Sequence, residues 1–89
     1  MIVQRSLTII NKRGLHVRPA TQFAEVANRF HSAILVSKDG LDSDAKSILD
    51  LLMLAAAEGV VLLLKADGPD AGAAVDALEK LVLGKFGEE

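Results

Sequence analysis

The apolar pattern in the first third of the chain changes from strand-like to helix-like. Apolar and polar side chains alternate over residues 2–10, which predicts a strand. From residue 17 the apolar positions recur every three or four residues, which predicts a helix ending near residues 28–30. Pro19 falls in the first turn of this helix, where its missing N–H costs nothing. The apolar face consists of Ala20, Phe23, Ala24, Ala27 and Phe30.

The next stretch has the pattern of a hairpin followed by a helix start. Residues 32–38 predict a strand and residues 41–45 a short partner strand at an exposed edge. Asp39-Gly40 between them favours a tight turn, because both central residues of a type I′ turn need a positive φ. Ser47 is predicted to open the second helix, since Ser47 and Asp50 have the spacing of a capping box.

The second helix is predicted to end at Gly59, a natural C-terminal stop. Leu49 and Met53 lie off its apolar stripe and are expected to be exposed. The stripe consists of Ile48, Leu51, Leu52 and Ala55.

The last part of the chain predicts a central strand and a third helix. Residues 60–67 are nearly all apolar at first, which suits a strand inside a sheet. Gly68-Pro69 is predicted to begin the helix and Gly84 to end it. The acidic residues of the tail "GKFGEE" are expected to be solvated.

The element order β-α-β-β-α-β-α predicts an α+β fold. We expect an open-faced β-sandwich, with a four-stranded, mostly antiparallel sheet and three helices packed on one face. A length of 89 residues suits one domain over residues 1–89.

Composition and charge argue against several classes of function. Ten basic and twelve acidic residues with 3% aromatic residues argue against a nucleic-acid binder. The sequence has no cysteine, which excludes thiol chemistry and fits a reducing compartment. No apolar run approaches the roughly 20 residues of a membrane span, so a cytoplasmic protein is expected. Two histidines without metal-ligand spacing predict no metal site, and no cofactor is expected.

The candidate chemistry lies at His16, just before the first helix. The N–H groups of Val17 and Arg18 have no partner within the helix and carry a partial positive charge. An anion attached to the imidazole would meet these donors, and the Arg18 guanidinium suits phosphate oxygens. This arrangement fits a phosphoryl group held on a ring nitrogen. The residues alone leave open a histidine that is a plain cap or loop residue.

Two motifs carry a resemblance to a known family. "GLHVRPA" at residues 14–20 resembles the active-site motif of the HPr family, the histidine-containing phosphocarriers of the phosphoenolpyruvate-dependent phosphotransferase system. "KSILDLLMLAAAEG" at residues 46–59 resembles the second signature of that family. The resemblance covers essentially the whole chain. It implies that His16 is phosphorylated on Nδ1 and that Arg18 neutralises the phosphoryl group.

The resemblance also implies partners and a role in sugar transport and carbon regulation. The donor would be Enzyme I and the acceptor a IIA domain, so the chain would be a monomeric carrier and not an independent turnover enzyme. Ser47 matches a serine that HPr kinase/phosphorylase modifies, although capping alone equally explains a serine there. The partner interface is expected at Ile48, Leu49, Leu52 and Met53, unless Ile48 and Leu52 belong to the core.

Departures from the common family pattern leave alternatives open. "LLMLAA" and the acidic tail resemble the nitrogen-regulatory branch, whose carrier is called NPr. Asp50 and Ala55 stand where many members carry a small residue or glycine. A non-catalytic partner-binding module, switched at Ser47, is the alternative from another class. A small ligand-binding domain with an incidental His16 is the third.

Overall fold

The strand residues form one four-stranded sheet in the computed structural model, which describes residues 1–88. The strands are β1 Ile2–Thr8, β2 Ala33–Lys38, β3 Leu41–Asp44 and β4 Val61–Asp67. The helices are α1 Val17–Ala27, α2 Ile48–Met53 and α3 Ala71–Leu83, followed by a 3₁₀ turn at Lys85–Gly87. The sheet order is β1-β4-β2-β3 and all three strand pairs are antiparallel. The predicted α+β open-faced sandwich is therefore confirmed.

The core lies between the helices and one face of the sheet. Leu62, Leu64 and Ala66 of β4 are buried, whereas Val61 and Leu63 on the other face are exposed. Because β4 has a neighbour on each side, its central position is confirmed. Its apolar residues on the second face remain uncovered, as expected for a sheet with helices on one side.

The hairpin between β2 and β3 has the predicted turn. Asp39 has a φ of 52° and Gly40 a φ of 82°, as a type I′ turn requires. Among the strands of residues 1–88, β3 pairs only with β2 and forms the predicted edge of the sheet.

The prediction that α2 extends to Gly59 is wrong. The helix ends at Met53, and Ala55 has a left-handed φ of 50° outside it. The Lys38 ammonium donates to the carbonyl of Leu54 at 2.9 Å, so a distant side chain satisfies the helix end. Gly59 instead belongs to the turn before β4, where its N–H donates to the carbonyl of Ile9 at 2.8 Å.

Other element boundaries differ from the prediction by a few residues. Strand β1 stops at Thr8, although Ile9 stays buried and donates its N–H to the carbonyl of Val60. Helix α1 ends at Ala27, and Phe30 packs against the core from outside the helix. Within residues 1–88, no helix is both long and apolar enough to cross a membrane.

Candidate functional site

A glycine fixes the loop that leads into α1. Gly14 has a φ of 69°, and a Cβ on it would lie 2.6 Å from the carbonyl oxygen of Ala56. The next N–H, of Leu15, donates to that same carbonyl at 2.9 Å. Glycine therefore allows the close approach that holds this loop against the segment after α2. The loop in turn holds His16 at the start of α1.

His16 is the N-cap residue of α1. Its backbone is extended, and its carbonyl accepts the first helical bond from the N–H of Ala20 at 2.9 Å. Its side chain makes no capping hydrogen bond, so the ring is not used to close the helix end. The N–H groups of Val17 and Arg18 follow in the first turn, and Pro19 is buried behind them.

The imidazole has a carboxylate partner from the far end of the chain. His16 Nε2 lies 2.7 Å from Glu88 Oε2, and the two side chains are 24% and 16% exposed. An ionised carboxylate only accepts hydrogen bonds, so Nε2 carries the hydrogen and donates it. The prediction that the tail acids are solvated is wrong for Glu88. Glu89 lies outside the described residues.

Asn11 holds the same carboxylate from the other side. Its Nδ2 donates to Glu88 Oε1 at 3.0 Å and to the carbonyl of Gly14 at 2.8 Å. The Asn11 side chain is fully buried, and its Oδ1 has no partner within the described residues. Both oxygens of Glu88 therefore accept from fixed donors.

Hydrogen bonds and positive charge keep Glu88 ionised. Burial alone would raise the pKa of its carboxyl group. The hydrogen bonds from Asn11 and His16, with the charges of His16 and Arg13, outweigh burial and lower that pKa below its ordinary value. Glu88 thus remains a carboxylate throughout the neutral range.

The tail reaches His16 because Phe86 anchors it. Phe86 is buried, and both Lys85 and Phe86 have positive φ, which turns the chain back after α3. Gln22 Nε2 of α1 donates to the carbonyl of Phe86 at 3.2 Å. The sequence signal was an aromatic residue just beyond the predicted helix end, between Gly84 and Gly87.

An open cleft beside Glu88 carries mostly positive charge. Its lining consists of Lys12, Arg13, Arg18, Gly87 and Glu88. Three cations against one carboxylate favour an anion in this cleft. Within residues 1–88, no cluster of histidine and acidic side chains has the geometry to hold a metal ion.

Ser47 is the N-cap residue of α2, as predicted. Its Oγ accepts from the N–H of Asp50 at 3.2 Å. Its own N–H donates to the carbonyl of Asp44 at 3.1 Å instead of taking part in a reciprocal capping box. The serine therefore has a structural task at this position.

Exposed apolar side chains lie on α2 and at the start of α1. The expected exposure of Leu49 and Met53 is confirmed, and Ile48 is also exposed. Leu52 packs against the core, so it is a core residue, as one of the two alternatives expected. Ile48 is exposed, as the other alternative expected. Val17, which the sequence interpretation did not include, is exposed as well. We call Val17, Ile48, Leu49 and Met53 the apolar patch.

Comparisons with known proteins agree on one family. A family model described as the phosphorylation site of the HPr component of the phosphotransferase system matches residues 3–83. The phosphocarrier protein HPr of Cupriavidus necator is 45% identical over 87 residues, 98% of each chain. The phosphocarrier protein NPr of Shewanella violacea is 42% identical over 86 residues, 97% of this chain and 94% of its own.

Solved structures give the same result. The crystal structure of HPr-C-His from Thermoanaerobacter tengcongensis has a TM-score of 0.94 at 42% identity, with 98% of both chains covered. The crystal structure of an HPr dimer from the same organism has a TM-score of 0.79 at 44% identity, covering 92% of this chain and 94% of that one.

Proposed function

The chain belongs to the HPr family of phosphocarriers of the phosphotransferase system, and on that premise we propose that His16 carries the phosphoryl group on Nδ1. The main support is the position of the ring. It caps α1 with its backbone only, and its Nε2 is occupied by Glu88. Nδ1 is the ring nitrogen left with a lone pair for attack.

The transfer step needs no change of protonation at the ring. The Nδ1 lone pair forms a bond to phosphorus, while the bond from phosphorus to the donor breaks and its electron pair leaves with the donor. Transfer to the acceptor reverses these changes and returns the pair to Nδ1. The N–H groups of Val17 and Arg18 and the Arg18 guanidinium bind the phosphoryl oxygens.

We propose Enzyme I as the donor and a IIA domain as the acceptor. The apolar patch supports a docking role, since exposed apolar side chains with a polar rim are typical of transient interfaces. Three of its members, Ile48, Leu49 and Met53, belong to the predicted interface. Leu52, the fourth residue of the predicted interface, packs against the core and holds α2 in place.

We propose a monomeric carrier in the cytoplasm. Strand β1 pairs along its whole length with β4 of the same chain, which supports a fold complete in one copy. The absence of cysteine from the sequence fits a reducing compartment. Light scattering of the purified chain is expected to give a mass near 9.4 kDa, and a dimer mass would contradict this part.

We propose Ser47 as a regulatory site for HPr kinase/phosphorylase. A phosphate there would add a charge of about −1.5 to −2 next to Ile48, within the apolar patch. Desolvating that charge would weaken apolar docking. Incubation with the kinase and ATP tests the proposal, with Ser47→Ala as the variant that must remain unmodified.

The main experiment is intact mass of the chain after incubation with phosphoenolpyruvate and Enzyme I. One added phosphoryl group, lost in mild acid and absent in His16→Ala, is the expected result. His31→Ala is the matched control and is expected to be phosphorylated normally, since His31 is exposed and lies beyond the opposite end of α1 from His16. Uptake by His16→Ala would contradict the proposed site.

The same experiment separates the alternatives. Phosphorylation by a nitrogen-branch Enzyme I in preference to the sugar-transport one would favour an NPr-type carrier, as the similarity to NPr allows. No uptake from either donor would favour a partner-binding module in which Ser47 is the only switch.

A further inference from the structure

We propose that Glu88 is a positioning residue that keeps hydrogen on Nε2 of His16 and so leaves Nδ1 free to accept the phosphoryl group. This inference rests on the proposed function of His16 and deepens it. It assigns a role to a side chain in the tail, outside the two motifs that suggested the site.

The hydrogen-bond pattern around Glu88 fixes the direction of each bond. Asn11 Nδ2 donates to one carboxylate oxygen at 3.0 Å, and the other lies 2.7 Å from His16 Nε2. The donor and the acceptor are fixed in both bonds, because an amide nitrogen only donates and an ionised carboxylate only accepts. The ring therefore has one compatible neutral tautomer, with Nε2 protonated and Nδ1 bare.

Charge in the phosphorylated state supports the same role. A ring with hydrogen on Nε2 and phosphorus on Nδ1 is cationic, and the Glu88 carboxylate lies beside that positive charge. The other charged groups lining the cleft at Glu88 are Lys12, Arg13 and Arg18. These cations suit the phosphoryl oxygens and disfavour a cationic ring. Within the described residues lining that cleft, Glu88 is the group that offsets them.

The tail is held firmly enough to orient a side chain. Phe86 is buried in the core, and Gln22 of α1 bonds its carbonyl. The N–H of Glu88 donates to the carbonyl of Lys85 at 2.8 Å, which fixes the last described turn. Asn11 is itself pinned by its bond to Gly14 in the loop that carries His16. The carboxylate is thus tied to both sides of the site.

Nuclear magnetic resonance of the unphosphorylated chain tests the proposal. The protein is labelled with ¹⁵N in histidine, and the two ring nitrogens of His16 are recorded at about pH 8.5, above the range where an ordinary histidine titrates. We expect wild-type His16 to show a protonated Nε2 and a bare Nδ1. His31, exposed and located beyond the opposite end of α1, serves as the internal reference.

The informative variant is Glu88→Gln, which keeps the shape but has one acceptor and one donor. If its oxygen accepts from Asn11, its amide faces Nε2 and favours hydrogen on Nδ1. The Nε2-protonated fraction is therefore expected to fall. Glu25→Gln, an exposed carboxylate on α1, is the matched control and is expected to leave the spectrum unchanged. An unchanged His16 spectrum in Glu88→Gln would overturn the proposal.

Kinetics give a second readout that a structural role would not move. Phosphoryl uptake by Glu88→Gln is expected to slow about tenfold, the lower end of the loss seen when the hydrogen-bond partner of a metal-ligating histidine is removed. Acid-catalysed hydrolysis of the phosphorylated variant is expected to decline at lower pH than in the wild type, since the cationic ring loses its carboxylate. Uptake and hydrolysis profiles equal to wild type would count against the proposal.

Failure here and failure of the proposed function are distinguishable. The tautomer measurement uses no phosphoryl donor, so it stands whether or not His16 is phosphorylated. Uptake by His16→Ala refutes the phosphorylation site and leaves the tautomer result intact. A normal His16 site with an unchanged tautomer in Glu88→Gln refutes Glu88 alone.

Discussion

Helices α1 and α2 begin with different uses of the capping residue. Ser47 accepts the N–H of Asp50 with its side chain, so its oxygen closes the start of α2. His16 starts α1 with its backbone alone, and its ring turns to Glu88. In α2 the third residue is Asp50, whose N–H is bound by the Ser47 side chain. In α1 the third residue is Pro19, which has no N–H to bind.

This difference bears on the proposed phosphorylation site. The N–H groups of Val17 and Arg18 stay available because the His16 side chain does not cap them, which suits the phosphoryl group that we propose His16 accepts. At α2 the Asp50 N–H is already taken by Ser47. Changes at the start of α1 should therefore affect transfer, and changes at the start of α2 should affect stability.

The largest expected effect comes from His16→Ala. Phosphoryl uptake is expected to vanish. The ring makes no capping bond, so the stability lost is that of its bond to Glu88, about 1 kcal/mol or roughly 4–8 °C in melting temperature. Intact mass and thermal unfolding by circular dichroism measure both. A strong loss of stability would show that the ring supports the helix and would break the contrast between α1 and α2.

Arg18→Ala is expected to slow transfer without abolishing it. Loss of a charge-assisted hydrogen bond costs about 1.5 kcal/mol at an exposed site, which corresponds to roughly a tenfold lower rate. Rapid-quench measurement with donor and acceptor gives the rates. Arg29→Ala, an exposed arginine after the other end of α1, is the control. Equal losses in the two variants would argue for a general charge effect.

Ser47→Ala tests the other helix start. We expect a loss of about 1 kcal/mol in the free energy of unfolding, since the Asp50 N–H loses its acceptor. For a domain of this size that corresponds to roughly 4–8 °C in melting temperature. Uptake at His16 is expected to stay normal, and a slower uptake would mean that the two helix starts are coupled.

Asp70 lies at a third helix start, that of α3, and adds a third case to the comparison. Its expected effect on stability is smaller and depends on pH. Asp70 is the N-cap residue of α3, but its carboxylate accepts from the Ser32 hydroxyl and from the N–H groups of His31 and Ser32. The Ser32 hydroxyl, followed by the His31 N–H, lowers the pKa of Asp70 from 3.8 to about 2.

A carboxyl group whose pKa is lowered by folding stabilises the fold at pH values above its ordinary pKa. This stabilisation is lost as the pH falls through the lowered pKa. The melting temperature of the wild type is therefore expected to fall more steeply between about pH 4 and pH 2 than that of Asp70→Asn. Asp39→Asn in the exposed hairpin turn is the control. Parallel curves for wild type and Asp70→Asn would contradict the assignment.

Local sequence signals predicted most of the fold. The Asp39-Gly40 turn, the Ser47 cap and the apolar periods depend on neighbours within a few positions, and the structure has all three. The early end of α2 was missed: there the Lys38 ammonium, from β2, donates to the carbonyl of Leu54 just after the helix. Such a contact has no local pattern.

The candidate site divides in the same way. His16, Val17 and Arg18 follow one another in the sequence, so their placement at one helix start was predictable. Glu88 joins them from 72 positions away, through the burial of Phe86 and a turn with two left-handed residues. From the sequence alone, an acidic residue that follows a helix is predicted to be solvated, because the burial of Phe86 is not visible there.

The distance of Glu88 along the chain has a consequence for biosynthesis. A nascent chain presents His16 early, when the residue that holds its ring has not yet been translated. The carboxylate partner can arrive only after α3 has emerged and Phe86 has been buried. A truncated translation product that lacks this tail would have the imidazole without its bond to Glu88, and would also lack the buried Phe86.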